Sequence, residues 1–203
     1  EAGGYRRDTV GEDIELVVRL HRRAAETGLD HRIVFVPEPV CWTEAPETLQ
    51  GLQRQRTRWQ RGALETFMTH RAMLFDPRYG RAGALGLGRL LLVDVIGPVG
   101  ELMGWIVLPL LYATGALSLD YVLAFFALSI GFGAAASLAA LAMQEAELSR
   151  TPRLVDLAVL TLIALIENLG YRQLNAYWRL QGLAQWTRGD RAWGAMTRKG
   201  FAH

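Results

Sequence analysis

LDYVLAFFALSIGFGAAASLAALAM, residues 119–143, carries no Lys or Arg and no acid after Asp120. A helix needs roughly 20 apolar residues to cross the hydrocarbon core of a bilayer, and this run exceeds that. It predicts a membrane-spanning helix and divides the chain around itself. An apolar stretch precedes it at 87–117, interrupted by Gly97-Pro98 and by the acids Asp94 and Glu101. That stretch is long enough if the residues before Pro98 lie along the interface and those after it span. A third stretch, 154–176, holds Asp156, Glu167 and Asn168. An acid inside lipid costs on the order of 2.5–3.5 kcal/mol, so these side chains are expected to face other helices or a polar cavity. A buried helical bundle in a soluble protein is the competing account, and apolar runs of about 18 residues or more argue against it.

Outward from the apolar region the composition changes. Of 203 residues, 51% are hydrophobic and 21% charged, but the average hides a split. Residues 1–81 are rich in Arg, Glu and Asp, and the apolar runs fall in 82–180. A formal net charge of +2 gives no reason to expect a nucleic-acid partner. The one cysteine, Cys41, excludes an intrachain disulfide, fits a reducing, cytosol-facing compartment, and reads as a small buried residue. The opening Glu1-Ala2-Gly3-Gly4 has no basic and apolar leader and reads as the interior of a longer protein. Loop charges bear on topology. The loop at 113–120 has no Lys or Arg and should be external; the loop at 144–153 has Arg150 and Arg153 and should be cytoplasmic. A third crossing would then place the tail outside. Yet Arg172, Arg179, Arg188, Arg191, Arg198 and Lys199 argue for the inside. Either the third stretch does not cross or the tail departs from the rule.

The polar part predicts a helix over 9–27, with Thr9 and Glu12 at capping-box spacing. Ile14, Val17, Val18, His21 and Ala25 recur at helical intervals, and Gly28 is a left-handed stop. Residues 32–36, Arg-Ile-Val-Phe-Val, predict a strand ended by Pro37 and Pro39. A second helix is expected from about Pro46, capped near Glu44 and Glu47, through Arg61 or beyond. Asp76-Pro77-Arg78-Tyr79-Gly80 is a turn and the expected boundary. The expected organisation is therefore an α/β piece over 1–80 and a helical membrane region with a basic tail over 81–203.

Two constellations have chemistry in them. In Gly11-Glu12-Asp13, carboxylates stand near a helix N-terminus, where the dipole favours their ionised form. An ionised Asp13 is a candidate general base. The plain alternative is that Glu12 and Asp13 only cap and stabilise the helix. In Gln55-Arg56-Thr57-Arg58-Trp59, residues 55, 58 and 59 share one helix face. That face offers an amide, a guanidinium fork suited to phosphate oxygens and an aromatic plate suited to a sugar ring. An interfacial helix with Arg at lipid headgroups and Trp at the boundary explains the same residues equally well. His21, His31, His70 and His203 have no metal-ligand spacing.

Asp8-Thr9-Val10-Gly11-Glu12-Asp13, followed about 40 residues later by Gln55-Arg56-Thr57-Arg58-Trp59 and then by apolar helices, resembles the membrane-embedded family 2 glycosyltransferases, which include cellulose, chitin, hyaluronan and poly-N-acetylglucosamine synthases. The family's Gln-x-x-Arg-Trp motif matches at Gln55, Arg58 and Trp59. Its Thr-Glu-Asp motif matches at Glu12 and Asp13 and departs at Gly11, which leaves any role of a Thr hydroxyl in doubt. Trp193 to Phe201 also resembles the tail of bacterial members. The resemblance implies an A-type nucleotide-sugar transferase domain joined to a transmembrane bundle in the inner (plasma) membrane, with cytoplasmic chemistry. It implies inverting transfer from a nucleotide-sugar donor to a glycan or lipid acceptor. Asp13 would take the acceptor proton, Arg58 with Gln55 and Arg56 would hold the diphosphate, and Trp59 would stack on the acceptor. It also implies Mg²⁺ or Mn²⁺ bound through an upstream Asp-x-Asp, a motif this chain does not contain, so the chain alone is expected to be inactive. The other class of function is a non-enzymatic membrane protein whose Arg-rich helix binds anionic lipid or a partner. It predicts that Arg54, Arg56, Arg58 and Arg61 are interchangeable with Lys.

Overall fold

A computed structural model describes residues 3–28, 33, 34, 36, 41, 43–148 and 153–190. Among them every regular element is helical. α1 is Glu12–Thr27 and α2 is Leu49–His70; short 3-10 turns follow at Arg71–Met73 and Pro77–Tyr79. Two π-helical stretches, Ala82–Leu87 and Leu90–Ile96, lead into α3, Gly97–Ala113. α4 is Leu119–Leu148, α5 Leu154–Ile166 and α6 Tyr171–Thr187.

The α/β expectation is overturned: the described residues contain no strand. Ile33, Val34 and Val36 of the predicted strand are irregular and exposed; the rest of 32–36 lies outside the described residues. A β-branched run becomes a strand only where a neighbouring strand takes its N–H and C=O groups. No described segment offers that pairing.

Helix starts also differ from the sequence expectation. α1 begins at Glu12 behind Gly11, without a side-chain cap, because Thr9 turns its hydroxyl to Glu65 Oε2 at 2.7 Å instead of closing a capping box. α2 begins at Leu49. The extended Thr48 caps it by accepting from the Gly51 N–H at 3.1 Å, so neither Pro46 nor the nearby acids mark the start. Gly28 does end α1 in the left-handed region, at φ 64, its N–H bonded to Ala24 O. Cys41 is exposed rather than buried. The Trp193–Phe201 tail lies outside the described residues.

The chain divides into two compact units. The first, 1–99 with 177–203, holds α1, α2, the π-helical stretches and the end of α6. Its core is Ala63, Met73, Tyr79, Leu87 and Leu90, with Val18, Phe67 and Leu74 against them. Each large buried side chain there contributes about 1.5–3 kcal/mol of transfer free energy.

The second unit, 100–176, packs α4 on α5 and sets Trp105 on Phe126, ring centroids 4.5 Å apart. Several of its polar side chains find partners, as an apolar surrounding favours. Arg172 pairs with Glu101 at 2.7 Å, Ser137 donates to Glu167 at 2.6 Å, and the buried Asn168 donates to Ala164 O at 2.9 Å. Asp156 stands exposed in the first turn of α5, where the dipole favours it.

Two helices are long and apolar enough to cross a membrane, Ala82–Ala113 and Leu119–Ala146. The pair α5 and α6 also passes that test, but bends by 63° at the break, where Gly170 takes φ 99. Gly97-Pro98 does not interrupt the first helix. π-helical turns absorb the misfit.

Candidate functional site

α2 has two working faces. At 100° per residue, Gln55, Arg58, Trp59 and Gly62 lie on one side and Gln53, Thr57 and Gln60 on the other. The head of α1 meets the first side. A Cβ added to Gly11 would lie 2.7 Å from Gly62 Cα, and one added to Gly62 would lie 2.6 Å from Gly11 Cα. The two backbones are in contact, so both positions require glycine. This also accounts for Gly11 where the resembling family has Thr: the crossing leaves no room for a side chain.

Hydrogen bonds hold the crossing in place. Glu65, one turn beyond Gly62, accepts from the Thr9 hydroxyl at 2.7 Å and from the Val10 N–H at 3.0 Å. Further along, Glu15, only 1% exposed, lies 3.1 Å from His70 Nε2 and 3.2 Å from Arg19 Nε. Contacts therefore run from Gly11–Gly62 to Glu15–His70, so α1 and α2 point in the same sense. The N-terminus of α1, with its positive dipole end, is directed back along the face that carries Trp59, Arg58 and Gln55.

The predicted site residues fall as follows. Asp13 is exposed, and its Oδ1 accepts from the Ile14 N–H at 2.8 Å. Glu12 is half-buried beside it. Trp59 is 50% exposed, with the Arg56 guanidinium 4.8 Å from its ring centroid. Gln55 and Arg58 are half-buried. Gln55, Arg58 and Trp59 thus share one face of α2 within two turns of the Gly11–Gly62 crossing, and Arg56 backs the indole.

In the sequence Arg61 and Arg179 stand out only as members of charged sets, and the structure gives each a specific role in packing. Arg61 is buried, donating from Nη1 to Asp190 O at 2.9 Å. Arg179 donates to Gln60 Oε1 at 2.7 Å and to Asp94 O at 2.9 Å. One signal for this was present. Pro98 has no N–H, so the carbonyl four residues earlier, Asp94, lacks its helical donor and must find another. Glu65 had no such signal.

Burial lowers the His70 pKa below its ordinary 6.5, outweighing the opposite pull of Glu15. His70 is then neutral in the fold and takes up a proton more readily when unfolded. The unfolded state binds more protons between the folded pKa and 6.5, so stability rises with pH across that window and is full above it. The melting temperature of the full-length protein is expected to fall on acidification below pH 6.5, and to fall less in His70→Gln. A melting temperature that rises on acidification would contradict a buried neutral His70.

Among the described residues no three His, Cys, Asp or Glu side chains converge to hold a metal ion. The Mg²⁺ or Mn²⁺ implied by the resemblance finds no fitting ligand set in them.

Residues 1–132 match the sequence profile of the family described as "Glycosyl transferase family group 2". Over 68 residues the chain is 37% identical to the poly-beta-1,6-N-acetyl-D-glucosamine synthase of Staphylococcus aureus strain COL, and 34% identical to that of Staphylococcus epidermidis. The aligned segment is 34% of this chain and only 15% of each relative's length. No solved structure matches.

Proposed function

The chain belongs to glycosyl transferase family group 2, and from that premise we propose that it supplies the acceptor side and the catalytic base of a membrane polysaccharide synthase. The full-length enzyme transfers a sugar from a nucleotide-sugar donor to a glycan or lipid acceptor at the cytoplasmic face of the membrane. Residues 1–80 take part in the chemistry, and 81–203 anchor it among membrane lipids. The names of the aligned relatives make an N-acetylglucosamine polymer the first product class to test.

The observation that carries this reading is the Gly11–Gly62 contact, which sets the head of α1 on the Gln55–Arg58–Trp59 side of α2. Asp13, at the head of α1, accepts the acceptor hydroxyl's proton. The hydroxyl oxygen attacks the anomeric carbon from the side opposite the leaving group. The bond from that carbon to the diphosphate oxygen breaks, and the diphosphate departs with the electron pair. Arg58, with Gln55, meets the charge that develops on it. Trp59 presents its ring to the acceptor sugar, and Arg56 steadies the indole from 4.8 Å.

Arg58→Lys in the full-length enzyme tests this. A bidentate charge-assisted contact is worth about 1.5–3 kcal/mol, so transfer is expected to drop by roughly 10–100-fold at unchanged expression. Wild-type turnover in Arg58→Lys would remove the bidentate contact of Arg58 from the mechanism, and a full-length wild-type protein that transfers no sugar would favour the non-enzymatic reading, in which the arginines only attract anionic lipid. The buried Arg61, bonded to Asp190, already departs from a set of four interchangeable headgroup arginines.

A further inference from the structure

We propose that Arg179 is a positioning residue of the transfer reaction: through Gln60 it sets the rotation of α2 about its own axis, and so the aim of Arg58 and Trp59. This rests on the transferase reading above.

The device starts at Pro98. An ordinary helix would close an N–H to the Asp94 carbonyl there, and a π-turn would close one to Val93; proline offers neither. Both carbonyls turn to side chains instead. Arg179 Nη2 donates to Val93 O at 3.2 Å, to Asp94 O at 2.9 Å and to Asp94 Oδ1 at 3.1 Å. The Gln60 amide nitrogen donates to the same Asp94 carbonyl, and its oxygen accepts from Arg179 Nε at 2.7 Å. Guanidinium only donates and a carbonyl only accepts, so the Gln60 amide has one permitted orientation. Gln60 is 2% exposed, with no solvent to substitute for either partner.

The rest of that α2 face is seated on α6. Gln53 donates to Gln181 at 2.8 Å, and Thr57 donates to Trp178 O at 3.3 Å. Gly182 lies under the Thr57 carbonyl, where a Cβ would approach to 2.6 Å. These contacts hold α2 at its distance from α6. The Arg179–Gln60 link is anchored at both ends on backbone, by the guanidinium on the Val93 and Asp94 carbonyls and by the Gln60 amide N–H on the Asp94 carbonyl, and Gln60 directly follows Trp59. A rotation of about 10° moves a group at the roughly 5–6 Å outer radius of a helix by about 1 Å. A misplacement of about 1 Å can cost on the order of 100-fold in rate.

The test uses the full-length enzyme in lipid, with rates normalised to folded protein and Asp13→Asn as control. Arg179→Ala and Gln60→Ala are each expected to lower kcat by about 10–100-fold while the donor KM stays within about twofold. The double variant should be no worse than the weaker single, because both break one linkage. Arg179→Lys should not rescue, since one ammonium cannot serve Gln60 and both carbonyls together. If Arg179→Ala does not accumulate, Gln60→Ala carries the same comparison. Wild-type kcat per folded molecule in Gln60→Ala or Arg179→Ala, or additive losses in the double variant, would overturn the proposal while an inactive Asp13→Asn left the transferase reading standing. Turnover in Asp13→Asn would remove the transferase reading, and this proposal with it.

Discussion

Replacing Asp13 with Asn in the full-length enzyme is expected to lower kcat for sugar transfer by about 10²–10⁴-fold, the range general-base catalysis supplies. The fold should barely notice. Asp13 is exposed, and its one hydrogen bond, from the Ile14 N–H at 2.8 Å, is one an Asn carbonyl also accepts. What the amide loses is the favourable charge at the head of α1, worth about 0.3–1 kcal/mol, and all of its proton affinity. Donor affinity should persist, because the diphosphate contacts are assigned to Arg58 and Gln55. A variant that binds donor, melts normally and transfers nothing would place Asp13 in the proton step. Wild-type turnover would remove it. Asn preserves the shape of the carboxylate, so a change in activity here cannot be traced to packing.

Gly62→Ala should show the second large effect, and its sign is diagnostic. In the interior of an exposed helix, Ala stabilises by about 0.5–1 kcal/mol relative to Gly. At Gly62 the new Cβ would lie 2.6 Å from Gly11 Cα and 2.9 Å from Gly11 N. Those are backbone atoms and have no rotamer by which to withdraw. Overpacking of this kind costs about 1–3 kcal/mol, which exceeds the propensity gain. We therefore expect a lower melting temperature and a loss of transfer, because the head of α1 is pushed off the Arg58–Trp59 face. Gly11→Ala meets Gly62 Cα at 2.7 Å and should behave alike. A raised melting temperature in either variant would mean that α1 and α2 do not touch at this point. Gly51→Ala is a useful comparison near the start of the same helix: its nearest neighbour is the Thr48 hydroxyl at 3.1 Å, a side chain rather than backbone.

What the sequence made legible follows from local physics. The helical intervals of α1, its stop at Gly28 and the shared face of Gln55, Arg58 and Trp59 depend only on residues a few positions apart. The two long spans follow from run length alone. The polar residues Glu101, Glu167 and Asn168 do face partners, because hydrocarbon favours no alternative, whereas Asp156 stands exposed in the first turn of α5. The misreadings come where a distant residue decides. Thr9 is at capping-box spacing, but Glu65, 56 positions away, takes its hydroxyl. Residues 32–36 have strand composition and no described strand to pair with. At Gly11 the chain departs from the family pattern, and the contact with Gly62 makes that departure a requirement of the crossing. In the sequence Arg179 is only one more charge of the tail; in the fold its guanidinium bonds the carbonyls that Pro98 exposes. A proline inside a predicted span should therefore prompt a search for the donor that satisfies the carbonyls behind it.

A structure of the full-length enzyme with a nucleoside diphosphate and an acceptor sugar tests the central claim most directly. The account predicts the diphosphate on the Arg58 guanidinium, the acceptor against Trp59, and an acceptor hydroxyl within about 3 Å of the Asp13 carboxylate. Nucleotide and acceptor bound away from the Gly11–Gly62 crossing, with Asp13 and Arg58 serving separate surfaces, would contradict it.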